Sequence, residues 1–189
     1  FAINGHGMMY GWTNDDKFAG YEAGTDTFIN LLYTFDAKGK LSGAIVNVPC
    51  PSQTNESAWV YHASFWHNVR EKLAAKYGDA GLICQAAAAG DLSPRQLHYN
   101  DAEYRRYQLK YPEKIKAFLN NPMKNPEISK PSAEQEKLNI MEMMRAEDIA
   151  NRIMDAFDEV LAWAKKDMQY APVLKHEVKT VELSRCLLT

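Results

Sequence analysis

The chain has 189 residues, 46% hydrophobic and 24% charged, with a formal net charge of -2, the profile of one soluble globular domain with a sizeable core. That balance leaves no electrostatic footprint for nucleic acid or an anionic membrane, and no apolar run is long enough to cross a bilayer. Cys50, Cys84 and Cys186 form no Cys-x-x-Cys pair and no disulfide framework, so cysteine usage fits any redox compartment.

The chain opens at Phe1 with neither an initiator Met nor a signal-peptide pattern, and closes on Leu187-Leu188-Thr189. We therefore expect a segment of a longer protein, with 1–189 forming a single α/β domain. Phe1 to Gly24 is rich in Gly, Asn, Asp and aromatics and lacks periodicity, so it reads as loop. His6, set between two glycines, can approach a ligand or metal closely; the alternative is a solvated loop histidine. Thr27 to Phe35 and Leu41 to Val48 are β-rich runs joined by Asp36-Ala37-Lys38-Gly39-Lys40, which predicts an antiparallel hairpin. Apolar residues on both faces of both strands predict a sheet covered on both sides.

The next stretch, Asn47-Val48-Pro49-Cys50-Pro51-Ser52-Gln53, is a proline-stiffened loop. The prolines on both sides of Cys50 are consistent with a directed side chain; the plain alternative is a buried or incidental thiol, and Ser52 and Gln53 are polar neighbours. Asn55 to Tyr77 predicts a helix capped by Asn55 or Ser57 and stopped by Gly78, with Tyr61, Phe65, Val69 and Leu73 recurring at i+4. His62 and His67 would stand about 500° apart around its axis, on different faces, which argues against a two-histidine metal pair.

Gly81 to Gln85 is a buried strand closed by Ala86-Ala87-Ala88-Ala89-Gly90-Asp91-Leu92-Ser93-Pro94. The order β-β-α-β predicts a mixed sheet, an antiparallel hairpin plus a parallel crossover, with packed helices. Parallel pairing would bring the Cys50 and Ser93 loops to the same end of neighbouring strands, where ligands gather in α/β sheets. Pro94 holds Ser93 on extended backbone, making it a candidate nucleophile; the plain alternative is a turn in which Asp and Ser bond local amides.

Leu97 to Met123 reads as one helix to about Lys110 and a second, started by Pro112, to Leu119, with its basic residues on a solvated face. Asn120 to Pro131 is a proline-rich linker. Ser132 opens the longest helix, to about Lys166, with a capping-box spacing to Gln135; its period weakens around Glu142 to Glu147, where a break is expected. Met141, Met143 and Met144 read as core filling. Val173 to Leu188 predicts a final strand or strand pair.

Several of these segments resemble the neutral/alkaline ceramidases, zinc-dependent amidases, in a bacterial member. The likeness rests on Gly7-Met8-Met9-Tyr10-Gly11 followed by Glu22, on Asn47 to Gln53, on Gln85 with Gly90-Asp91-Leu92-Ser93-Pro94, and on Val178-Lys179-Thr180-Val181-Glu182-Leu183-Ser184-Arg185. It implies an amide hydrolase of the N-acylsphingosine type, acting on a small-molecule amide or lipid outside the cytoplasm. Ser93 and Asp91 are then the catalytic residues, with Ser93 as nucleophile or transition-state donor and Asp91 bracing the loop. Gly90, Gln85 and His6 fall on the substrate side. Cys50 stands where the family places a zinc-binding His, a departure that could keep, alter or abolish the metal. The resemblance also implies that further zinc ligands lie beyond this segment, which alone is then expected not to hydrolyse an amide. Two rival readings are a hydrolase of a non-lipid amide and a non-catalytic domain that keeps the scaffold and binds a ligand or partner.

Overall fold

The structure, a computed structural model, describes residues 9–10, 20–21, 26–57, 62–90, 92–95, 100–120 and 131–183. His6, Asp91, Cys186 and most of the glycine-rich opening lie outside the described residues. Within that opening, β1 (Met9–Tyr10) and β2 (Gly20–Tyr21) pair antiparallel.

The expected mixed sheet is present. Its strands are β3 (Asn30–Phe35), β4 (Leu41–Val48) and β5 (Gly81–Ala86) in the order β3-β4-β5, the first pair antiparallel and the second parallel. Asp36 organises the hairpin turn: its Oδ1 accepts the N–H groups of Lys38 at 2.9 Å and Lys40 at 2.8 Å, and Gly39 takes the left-handed φ of 75°. Register slips beyond Thr34, where Phe35 faces Leu41. The extra residue on β4 is a bulge, and it lets both Leu41 and Ala44 point inward. Gly43 beside it is required by closeness, since a Cβ there would sit 3.1 Å from Thr34 Oγ1 and 3.3 Å from the Gly81 carbonyl oxygen.

Among the described residues, helices cover one face of the sheet. Leu41, Ala44, Val46 and Val48 pack there against Phe65, Val69 and Leu73 of α1 (Phe65–Tyr77) and against Ala150, Ile153 and Phe157 of α4 (Ala133–Ala164). On the other face Leu32 and Ile83 are 55% and 56% exposed, so expecting a sheet covered on both sides was wrong. A period-2 strand with aliphatics on both faces does not itself say that both are covered.

Helix α1 starts seven to nine residues later than the polar cap candidates Ser57 and Asn55 imply. Thr54 to Ser57 form turns, and Ser64 precedes the helix at φ 51° with no side-chain capping bond. Its Oγ instead accepts the Thr54 N–H at 3.1 Å. The polar groups around 54–57 are spent on contacts across the chain rather than on capping.

Two shorter helices, α2 (Asn100–Lys110) and α3 (Pro112–Asn120), pack with α4 around Tyr107, Tyr111, Ile140 and Met144. Ser132 caps α4 as expected, its Oγ accepting Gln135 N–H at 3.1 Å. The expected break does not occur. The apolar period weakens at Glu142 to Glu147 because α4 is buried all round there, and its acids and arginine meet partners from its neighbours. Arg145 and Glu103 pair through two bonds, at 2.6 and 3.1 Å, inside the protein. Asp148 takes Arg106, Lys110, Arg152 and the Tyr111 hydroxyl, and Glu147 takes Lys72, Lys114 and Asn68. The basic residues of α2 and α3 are therefore clamps onto α4 as well as a wet face.

Of the strand expected over Val173 to Leu188, residues 173–183 are exposed and without regular secondary structure, and the rest lies outside the described residues. Among the described residues no helix is long and apolar enough to cross a membrane.

Candidate active site

Parallel pairing places Val48 opposite Ala86, and the Ala87 N–H continues the ladder onto the Val48 carbonyl at 2.9 Å. The chain thus leaves β4 and β5 at the same end of the sheet, and the loops carrying Cys50 and Ser93 emerge side by side. Their side chains have different fates.

Cys50 turns inward. It is 0% exposed, belongs to the apolar core with Phe65 and Trp66, and its Sγ lies 3.5 Å from the Pro51 carbonyl oxygen. Burial pushes its thiol up to about 12. Zinc takes cysteine as thiolate, whereas this apolar surrounding by itself holds the thiol neutral. Among the described residues no three His, Cys, Asp or Glu side chains gather closely enough to hold a metal ion. Ser52 and Gln53 are exposed on the same loop.

Ser93 is 5% exposed and comes directly after the bond from Leu92 N–H to the Ala89 carbonyl at 3.1 Å. Its Oγ accepts the Arg95 N–H at 3.1 Å. This is the local serine turn that Ser-Pro sequences favour, and it leaves the hydroxyl proton free to be donated. Gly90 faces open space, since a Cβ there would meet nothing within 4 Å. Gln85 is not grouped with Ser93. It stands on the uncovered sheet face, where Asn47 Nδ2 reaches its Oε1 at 3.4 Å. Together with Asn30, Leu31, Leu32 and Ile45 these two line an open depression of about 290 Å³.

The two loops are tied to each other by side chains that pattern reading overlooked. Arg95 bonds Glu56 at 2.6 Å, and the next residue, Ser57, donates its N–H to Glu142 Oε1 of α4 at 3.0 Å. Asn55 reaches Met143 Sδ at 3.5 Å, and Gln135 Nε2 reaches the Ser57 carbonyl at 3.4 Å. Glu142 is 0% exposed, and neither its Oε2 nor Arg95 Nε has a hydrogen-bond partner. Burial raises the Glu142 carboxyl above its ordinary range, opposed by its bonds to Ser57 and by the charges of Arg145 and Arg95. The available signal was an acid, Glu142, inside an otherwise apolar methionine stretch; a buried carboxylate is costly unless something holds it.

His62 and His67 correct the helical-wheel argument. His62 precedes α1, so the wheel does not apply to it, and the two rings meet edge to face with centroids 5.7 Å apart. Burial and the neighbouring His67 both lower the affinity of His62 for a proton.

No family model, curated protein or solved structure matches the chain.

Proposed function

We propose that the chain carries the serine-bearing part of a hydrolase site acting on a carboxylic amide, of the N-acyl lipid type that its likeness to the ceramidases implies. The observation that supports this most is the junction at the carboxyl end of the sheet. There the Ser93 turn, the Glu56 loop and α4 are joined by the Arg95–Glu56 pair and the Ser57–Glu142 bond. Ser93 Oγ would attack the amide carbonyl carbon. The Arg95 N–H it accepts would steady negative charge as it builds on that oxygen. The C–N bond would break with the hydroxyl proton passing to the departing amine nitrogen, and water would then hydrolyse the acyl-serine ester, releasing the carboxylic acid and restoring the Ser93 hydroxyl. Zinc enters through the resemblance only, and the reading assigns no step to a metal.

A second reading, a non-catalytic binding domain, is favoured by one observation. The Ser93 hydroxyl is nearly enclosed and already engaged by a local turn. Amide turnover by the intact natural polypeptide separates the two. Acyl anilides of short and long chain, and ceramide itself, are expected to release amine in the wild type. Ser93→Ala is expected to lower turnover by at least about 100-fold, with the fold intact by circular dichroism. Equal rates for the two proteins would remove the hydrolase reading and leave the binding domain.

A further inference from the structure

We propose that Glu142 is the positioning residue of the Ser93 turn, acting through a continuous relay of bonds across three elements. Calling it a positioning residue for catalysis rests on the hydrolase reading above; the relay itself does not.

The relay starts on α4. Glu142 Oε1 accepts the Ser57 N–H at 3.0 Å, so the carboxylate fixes the backbone of the loop after β4. The residue before Ser57 is Glu56, whose carboxylate meets the Arg95 guanidinium at 2.6 Å. Arg95 in turn donates its backbone N–H to Ser93 Oγ at 3.1 Å. The links are a backbone amide on the Glu142 carboxylate, an ion pair between Glu56 and Arg95, and the Arg95 backbone amide on the serine oxygen, with the Glu56 and Arg95 side chains as the spans between them. A buried charge is stabilised only by the groups that face it. Those facing Glu142 are the Ser57 N–H, Arg95 from the loop after β5 and Arg145 on its own helix. Arg95 and Arg145 are themselves paired, to Glu56 and to Glu103 of α2.

Protonating Glu142 removes the charge that draws the Ser57 N–H and Arg95 inward. The hydrogen bond to Ser57 weakens from a charge-assisted to a neutral one, and Glu56, one residue away, loses its fixed position. Arg95 feels the change twice, through Glu56 and through the loss of the negative charge near its guanidinium. The carboxylate is displaced toward protonation by burial, so the switch is expected to fall above the ordinary glutamate value of about 4.3.

Amide chemical shifts of Ser57 and Arg95, followed by NMR across pH 3.5 to 8 in the full chain without substrate, read the relay. (These limits are roughly those needed to bracket a raised carboxylate.) Both amides should titrate with one shared midpoint in the wild type. In Glu142→Gln, where a side-chain oxygen still accepts from Ser57, that shared midpoint should vanish from both. In Glu56→Gln the Ser57 amide should still titrate with the original midpoint, and the amplitude at Arg95 should fall at least about twofold as its ion pair is lost. A wild-type Arg95 amide that stays flat while Ser57 titrates would overturn the relay. So would an Arg95 titration unchanged in both variants. Because no substrate is present, absent turnover would sink the hydrolase reading without touching this result, and the reverse also holds.

Discussion

Cys50 shows how much a single side chain's environment decides. Prolines on either side stiffen its loop, and that stiffness is equally consistent with a ligand held outward and a thiol held inward. The structure turns it into the core against Phe65 and Trp66. With its thiol pushed up to about 12, Cys50 should resist a thiol reagent at pH 8 in the folded protein and react after unfolding in urea. Rapid reaction in the native state, protected by added zinc, would restore it as a ligand. Ser93 is the opposite case. Both readings of its sequence, nucleophile and turn, describe one geometry, since the turn bond uses the oxygen as acceptor and leaves the proton. Local sequence could not separate them because both need the same Ser-Pro backbone.

At the scale of elements, α4 carries the main lesson about legibility. Its start was readable from Ser132 and Gln135, and its stripe from Ile149, Ile153 and Phe157. Its continuity through Glu142 to Asp148 was not, because pattern reading treats a charge as a surface mark. Here Glu147 and Asp148 are enclosed and held by cations from α1, α2, α3 and α4 itself. Burial would push the Glu147 carboxyl up, but bonds from Lys114, Lys72 and Asn68 outweigh it and bring it down to about 2. Asp148 is lowered in the same way by Lys110, Arg106 and Tyr111 against the cost of its burial. A folded value below the unfolded one gives stability that is complete above the unfolded value and drains away as pH falls through the folded one. Urea unfolding should therefore show stability falling between about pH 4.5 and pH 2, by on the order of 3 kcal/mol for Glu147. Glu147→Gln should make that part of the curve shallower, leaving the share that belongs to Asp148. A wild-type curve already flat there would mean the lysines do not hold the carboxylate. The hairpin and α2 and α3 were legible for the usual reasons, turn residues and proline punctuation, while the late start of α1 was hidden by side chains bonding across the chain.

For the molecule as a whole, topology does what composition could not. A parallel β4–β5 pair converts two loops some forty residues apart in sequence into neighbours, and this much followed from the order of elements. Which side chains those loops present did not follow, because it depends on α4 arriving at the same end with Glu142 buried beneath them. The helices cover one sheet face, leaving Leu32 and Ile83 exposed on the other. In residues 173–183, Val173, Leu174 and Leu183 are in solvent. The account centres on the claim that Ser93 is chemically competent at the carboxyl end of the sheet. Covalent labelling of the folded chain with a fluorophosphonate, located by peptide mass spectrometry, measures that most directly. The account predicts one adduct, on Ser93, absent from Ser93→Ala and from the urea-unfolded chain. An unlabelled Ser93, or labelling spread equally over exposed serines, would contradict it.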